Sequence, residues 1–224
     1  MMGINTKSLR EQVYDYLREK INSGEIKGGD VINIDKMSQS LGISRTPLRD
    51  ALLMLESDGF VEIKPRKGVV VKTLTLKDIK NYYQIIGALE CSIVCEVGSL
   101  LKFEDLDFME KCNDNMRIAL NRNDFNSYYD WNIKFHDTYL RLSENELALK
   151  MINLARQRLY DFPRKKTYVP DWEYSSLNEH EEIIDLLRKK KFTEAGLYIK
   201  DVHWSFEVQK KYILKYYPEA RDKT

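Results

Sequence analysis

The 224 residues contain three histidines, His136, His180 and His203, and each falls on or beside an apolar stripe. Imidazoles are the usual ligands of transition metals, so three on inward faces of different helices can share one divalent cation; the alternative is three core rings, each satisfied by its own hydrogen bond. Asn132 precedes His136 by one helical turn, so the two point the same way. His180 sits between Leu177 and Ile184, and His203 lies one turn beyond Ile199. A second group of residues is cationic. Arg45, Thr46 and Arg49 stand at the open end of an apolar-faced helix, where long donors reach guanine O6 and N7 or phosphate oxygens. Lys64, Arg66 and Lys67, next to Gly68, belong to a turn that can bring cations to the backbone or minor groove. A single arginine of this kind is ordinarily just solvated. The elements around these residues give them a joint role.

Leu9, Val13, Leu17 and Ile21 repeat at helical spacing and stop at Ser23-Gly24, a first helix. A short second helix starts at Asp35, read as its N-cap, and ends at Gly42, suited to a left-handed turn. The third begins after Ser44, with Pro47 in its first turn and Leu48, Ala51, Leu52 and Leu55 on one face. Residues 60–64 and 69–72 alternate as strands around Pro65-Arg66-Lys67-Gly68. Helix, helix, turn, helix, hairpin is the order of a winged helix-turn-helix. Seven of the ten glycines precede residue 70. From 76 onward the pattern is all helical, with expected helices at 76–101, 104–122, 124–142, 145–161, 175–190 and 193–216. Ser176 to Glu179 reads as a capping box for the fifth, and 163–172 as a loop. The expected domains are therefore 1–75 and 76–224, a mainly α chain with an all-α helical bundle after the winged helix.

Composition limits the remaining choices. Lys and Arg number 36 against 35 Asp and Glu, so no global basic field announces nucleic acid. No apolar run approaches the roughly 20 residues of a membrane helix, and the first fifteen residues lack a signal-peptide core; a cytoplasmic protein with no membrane partner is expected. Cys91, Cys95 and Cys112 lack the spacing of a disulfide framework or a thiolate metal site and read as buried thiols.

Three segments, Ser23-Gly24-Glu25-Ile26, Leu41 through Leu52 and Leu55 through Val61, make residues 8 to 75 resemble the GntR regulators. The resemblance implies operator contacts from Arg45, Thr46, Arg49 and the wing glycine, Gly68. Asp35 stands where some members carry a DNA-contacting arginine. The rest of the chain resembles the FCD effector domain of the FadR-like branch, through Phe135-His136, Glu144-Asn145 and Glu179-His180 followed by Ile183. That resemblance implies a divalent metal, of the zinc, nickel or manganese type, held at the positions of Asn132, His136, His180 and His203, with a small carboxylate effector beside it. Asn132 replaces the family's aspartate. His203 falls one residue later than its spacing from His180 suggests, which puts Val202 at the expected place unless the turn at Lys189 to Lys191 holds an extra residue. Ile86 replaces a frequent arginine, so Arg117, Arg156 or Arg158, with Asn145, are the expected effector-binding residues.

The function expected is a homodimeric, sequence-specific DNA-binding regulator that responds to a small effector. A metal-dependent enzyme with an accessory DNA module is the alternative, although no general-base motif such as HExxH accompanies the histidines. A domain that has lost sensing and only dimerises is a third possibility.

Overall fold

Ser8 opens the first helix, α1 (Leu9–Asn22), by a reciprocal cap in which its side chain accepts from the Glu11 N–H and the Glu11 carboxylate accepts from the Ser8 N–H. The computed structural model describes residues 7–160, 169–217 and 220. It divides into two units, Met1–Leu74 with Gln157–Arg164, and Thr75–Arg156 with Lys165–Thr224.

In the first unit α1 packs on α3 (Arg45–Ser57), burying Val13, Leu17 and Ile21 against Leu48, Ala51, Leu52 and Leu55. Between them lies α2 (Ile34–Leu41), which Asn33 caps by accepting from the Lys36 N–H; Asp35 lies inside the first turn and is not the cap. Gly42 closes α2 at φ 65°, a left-handed conformation that costs a residue without Cβ little. Strands β2 (Val61–Lys64) and β3 (Gly68–Val71) form the hairpin, and β1 (Val31–Ile32) adds an outer strand to β3, in the order β1-β3-β2. All pairs are antiparallel, with Val31 opposite Val70 and Lys64 opposite Gly68. A two-residue strand has no periodicity of its own, so β1 exists only because β3 offers it hydrogen bonds.

The second unit is helical: α4 (Leu76–Val97), α5 (Phe103–Asn121), α6 (Phe125–Leu140), α7 (Glu146–Tyr160, whose end from Gln157 belongs to the first unit), α8 (Pro170–Arg188), α9 (Phe192–Tyr198) and α10 (Phe206–Tyr216). Thr75 and Asp78 cap α4 reciprocally. By length and composition alone Leu76–Leu100 is long and apolar enough to cross a membrane, an 18-residue window in it having a mean hydropathy of 1.2. In this unit those side chains make core: Ile79, Tyr83, Ile86, Ile93, Val94 and Val97 are buried.

Three sequence expectations fail here for local reasons. Helix α8 begins at Pro170, whose ring suits a first helical position, so Ser176 and Glu179 lie inside the helix and form no capping box. The expected loop 163–172 falls partly outside the described residues, and its end is helical. The single helix expected over 193–216 is α9, then a π-helical turn at Ile199–His203, then α10.

Helices α4 and α9 meet closely because Gly196 has no side chain: a Cβ there would stand 2.9 Å from the Cys91 carbonyl oxygen and 2.9 Å from Cys95 Sγ. Cys95 is exposed and Cys91 half-buried, so of the three free thiols only Cys112 is buried as expected. Gly196→Val forces backbone apart, at a cost of about 1–3 kcal/mol. Thermal unfolding is the measurement, and an unchanged midpoint contradicts the close packing.

Candidate functional site

The exposed end of α3 carries the cationic group. Arg45, Thr46 and Arg49 are all exposed, while the opposite face is the buried Leu48, Ala51, Leu52 and Leu55. Arg45 and Arg49, one turn apart, therefore project together from a helix held firmly on its scaffold. Ser44 stands at the N-cap without a side-chain cap bond, which leaves first-turn N–H groups open at this end. The turn ahead of α3 is pinned by Ser38, whose hydroxyl donates to the Ile43 carbonyl. Asp35 forms an ion pair with Arg45, Oδ1 to Nε 2.8 Å, both groups exposed. In the hairpin, Arg66 (φ 64°) and Gly68 (φ 88°) turn the chain, and Arg66 and Lys67 are exposed. Lys64 is half-buried and pairs with Glu62 at 3.1 Å.

The three histidines converge. His136 comes from α6, His180 from α8 and His203 from the last position of the π turn, and their ligating nitrogens lie within 4.8 Å of one another. Ring centroids are 5.0–5.4 Å apart, and the Phe135 ring stacks on His180 at 4.0 Å. The offset of His203 is resolved by the π turn. The Trp204 N–H donates to the Ile199 carbonyl, five residues back, which takes up one extra residue and turns buried His203 inward, with Val202 left half-buried.

Each ring is anchored at Nδ1. His136 Nδ1 lies 3.0 Å from Glu90 Oε2, His203 Nδ1 lies 2.7 Å from Glu179 Oε2, and His180 Nδ1 lies 3.2 Å from Asn113 Oδ1. Asn113 donates its amide N–H to the Leu177 carbonyl, so its oxygen faces His180 and accepts from Nδ1–H. That tautomer leaves the Nε2 lone pair free. Among the described residues His136 Nε2, His180 Nε2 and Asn132 Oδ1 are buried with no hydrogen-bond partner. Buried acceptors without donors are costly, and a bound cation satisfies them together. Burial lowers the His136 pKa although Glu90 opposes it, and lowers His180 well below 6.5, with His203 and His136 acting in the same direction. The His136 and His180 rings are therefore neutral ligands at neutral pH.

Glu90 is fully buried. Burial pushes its carboxyl up, but His136, Arg156 and the Tyr139 hydroxyl outweigh this and hold it at about 2, ionised. Its Oε2 also accepts from Tyr139 at 2.6 Å and from Trp204 Nε1 at 3.1 Å. Sequence reasoning missed Glu90 as a functional residue, although a lone acid in the run from Ile85 to Val94 was a signal. It also assigned Glu179 to a cap and left Asn113 unremarked.

Of the expected effector residues, Arg156 alone belongs to this cluster. It is 7% exposed, donates Nη2 to Asp137 and Asn153, feels the Glu90 charge, and has no hydrogen-bond partner for Nη1 among the described residues. Arg117 instead pairs with Glu181 on an exposed face, and Asn145 caps α7 by accepting from the Ala148 N–H. Arg158 lies in the first unit, its guanidinium 4.6 Å over the Phe60 ring.

Residues 9–71 match the model of bacterial regulatory proteins of the gntR family, and residues 81–201 match that of the FCD domain. The chain is similar to an HTH-type transcriptional regulator of Bacillus subtilis, YdhC, at 30% identity over 80% of each chain. It is also similar to the gluconate operon transcriptional repressor of Bacillus licheniformis, at 26% identity over 85% of this chain and 79% of the other. Among solved structures, Escherichia coli McbR/YncC shares the fold with a TM-score of 0.66 at 20% identity, covering 96% of this chain and 99% of that one. A regulator from Rhodococcus sp. RHA1 does so at 0.64 and 20% identity, covering 97% and 100%.

Proposed function

This chain belongs to the GntR family of bacterial regulatory proteins, with an FCD domain behind its winged helix, and we propose that residues 1–75 read operator DNA while residues 76–224 sense a small effector. It is a DNA-binding transcriptional regulator. The observation that carries the assignment of contacts is α3, with one face buried and Arg45, Thr46 and Arg49 exposed at its N-terminal end. Arg45, Thr46 and Arg49 enter the major groove, and Lys64, Arg66, Lys67 and Gly68 follow the phosphates from the hairpin. The chain acts as a homodimer in the cytoplasm, and its two-fold symmetry makes the operator an inverted repeat. Selection of bound duplexes from a random library tests this directly; recovered sequences without two-fold symmetry count against it. Lys67→Ala weakens all duplexes alike and lowers the slope of log affinity against log salt by about 1. A slope equal to that of the wild type removes Lys67 from the interface.

In the effector domain Asn132, His136, His180 and His203 are the residues that would hold a divalent metal of the zinc, nickel or manganese type. The support is the convergence of the three imidazoles and the unpartnered lone pairs of Asn132 Oδ1, His136 Nε2 and His180 Nε2. Once bound, the metal supplies a Lewis-acidic point for an oxygen of the effector. Arg156 is the cation beside it, which favours a small carboxylate, and one relative is named for the gluconate operon. Regulation requires the effector to bind the DNA-competent and incompetent arrangements with different affinity.

A further inference from the structure

The ligand set Asn132, His136, His180 and His203 contains no carboxylate, which leaves open how the fold tolerates a dication there. Two of the three Nδ1 anchors are carboxylates: Glu90, 0% exposed, on His136, and Glu179, 7% exposed, on His203. Both have further donors that keep them in place. Glu90 Oε2 takes hydrogen bonds from Tyr139 and Trp204, and Glu179 Oε1 takes them from Gln209 at 2.9 Å and Ser175 at 3.3 Å. The third anchor, Asn113, is neutral. Two carboxylates one imidazole away from the site match the charge of one divalent ion.

We propose that Glu90 and Glu179 are the countercharge of the metal site, positioning residues that hold His136 and His203 and supply from behind the rings the negative charge that Asn132 does not. The proposal rests on the metal reading above. It goes further in one respect: the two carboxylates offset the charge of a dication without an anion from solution, so the metal binds in the absence of an effector. The Trp204 bond to Glu90 exists because the π turn sets Trp204 beside α4, where a Cβ on Gly87 would lie 2.9 Å from Trp204 Cβ. The device therefore depends on the same irregular turn that aims His203.

The test is titration of the full-length protein with Ni²⁺ at fixed neutral pH, in buffer without carboxylates or phosphate. Glu90→Gln and Glu179→Gln keep an acceptor oxygen for each imidazole and remove the charge. Each raises the Kd about 10- to 100-fold, the usual effect of losing a group that backs a ligand. The absorption spectrum of Co²⁺ stays close to wild type, because the ligands themselves are untouched. Asn132→Asp then gains at least tenfold more affinity in the Glu90→Gln background than in the wild type, since a charge returned next to the metal substitutes for the one removed. Equal gains in the two backgrounds overturn the proposal, as do Gln variants that bind within threefold of wild type. A Gln variant with an altered Co²⁺ spectrum also overturns it, because the carboxylate then only orients the ring. Circular dichroism separates a misfolded variant, and the other carboxylate serves in its place. A wild type that takes up no Ni²⁺ fails the metal reading itself, a result distinct from all of these.

Discussion

Replacing Arg45 and Arg49 together by alanine removes operator binding while the protein stays folded. Each side chain, if it contacts a base edge, is worth about 1–3 kcal/mol at a cognate site. Two of them on one exposed face correspond to a loss of roughly 30-fold to 20,000-fold in affinity. The fold has little at stake in either. Both are exposed, the face that holds α3 in place is the buried Leu48, Ala51, Leu52 and Leu55, and alanine is a good helix former. The Arg45 pair with Asp35 lies between side chains 63% and 67% exposed, and surface pairs of that kind contribute little. Fluorescence anisotropy on a duplex selected by the wild type, with a scrambled duplex alongside, gives the result. Unchanged operator affinity in a folded double variant sinks the recognition-helix assignment.

The second large effect is on metal. One divalent ion per chain is expected in the wild type, and His136→Ala or His180→Ala weakens uptake by at least about a hundredfold, beyond what loss of a backing group causes. Elemental analysis and metal titration measure it. The dependence on pH has a definite sign. His136 and His180 are held below 6.5, mainly by burial, so their lone pairs are free at neutral pH and protons compete only in acid. Uptake is level at neutral pH and falls only as pH drops through the lowered folded values, below that of a free imidazole. The metal-free protein follows the same direction: its buried rings take up protons less readily than those of the unfolded chain, so stability is full above about 6.5 and declines as pH drops through the lowered folded values. Equally little metal in wild type and variants at neutral pH makes the three rings structural. Any effector pocket then works by hydrogen bonds and Arg156.

The winged helix was legible because its information is local. Gly42 and Gly24 end helices through backbone freedom, Pro47 fits a first turn, and Leu48 through Leu55 sets the buried face of α3; each is settled by a few neighbouring residues. The same holds for the start of α4, expected at residue 76 and found there, and for the shared face of Asn132 and His136, which follows from helical geometry alone. The start of α8 was misread because a capping-box pattern at Ser176 and Glu179 looks the same whether or not Pro170 has already begun the helix.

Sequence by itself determined the fold class, the main order of elements, the exposed cationic end of α3 and which histidines point inward, because helical period, turn residues and capping act over a few positions. Tertiary structure alone decided the rest. Strand β1 needs β3 as a template. The π turn that brings His203 level with His136 and His180 takes up one residue and packs through Lys200 and Trp204 on Gly87 of α4. Arg156 belongs with the histidines, and Arg117 and Arg158 do not, because long side chains go where a distant charge or ring receives them, while Asn145 is held at the start of its own helix. Glu90 and His136 are 46 residues apart in sequence and 3.0 Å apart in the fold. No local rule reports such a pair, since its energy arises only when packing excludes water from both.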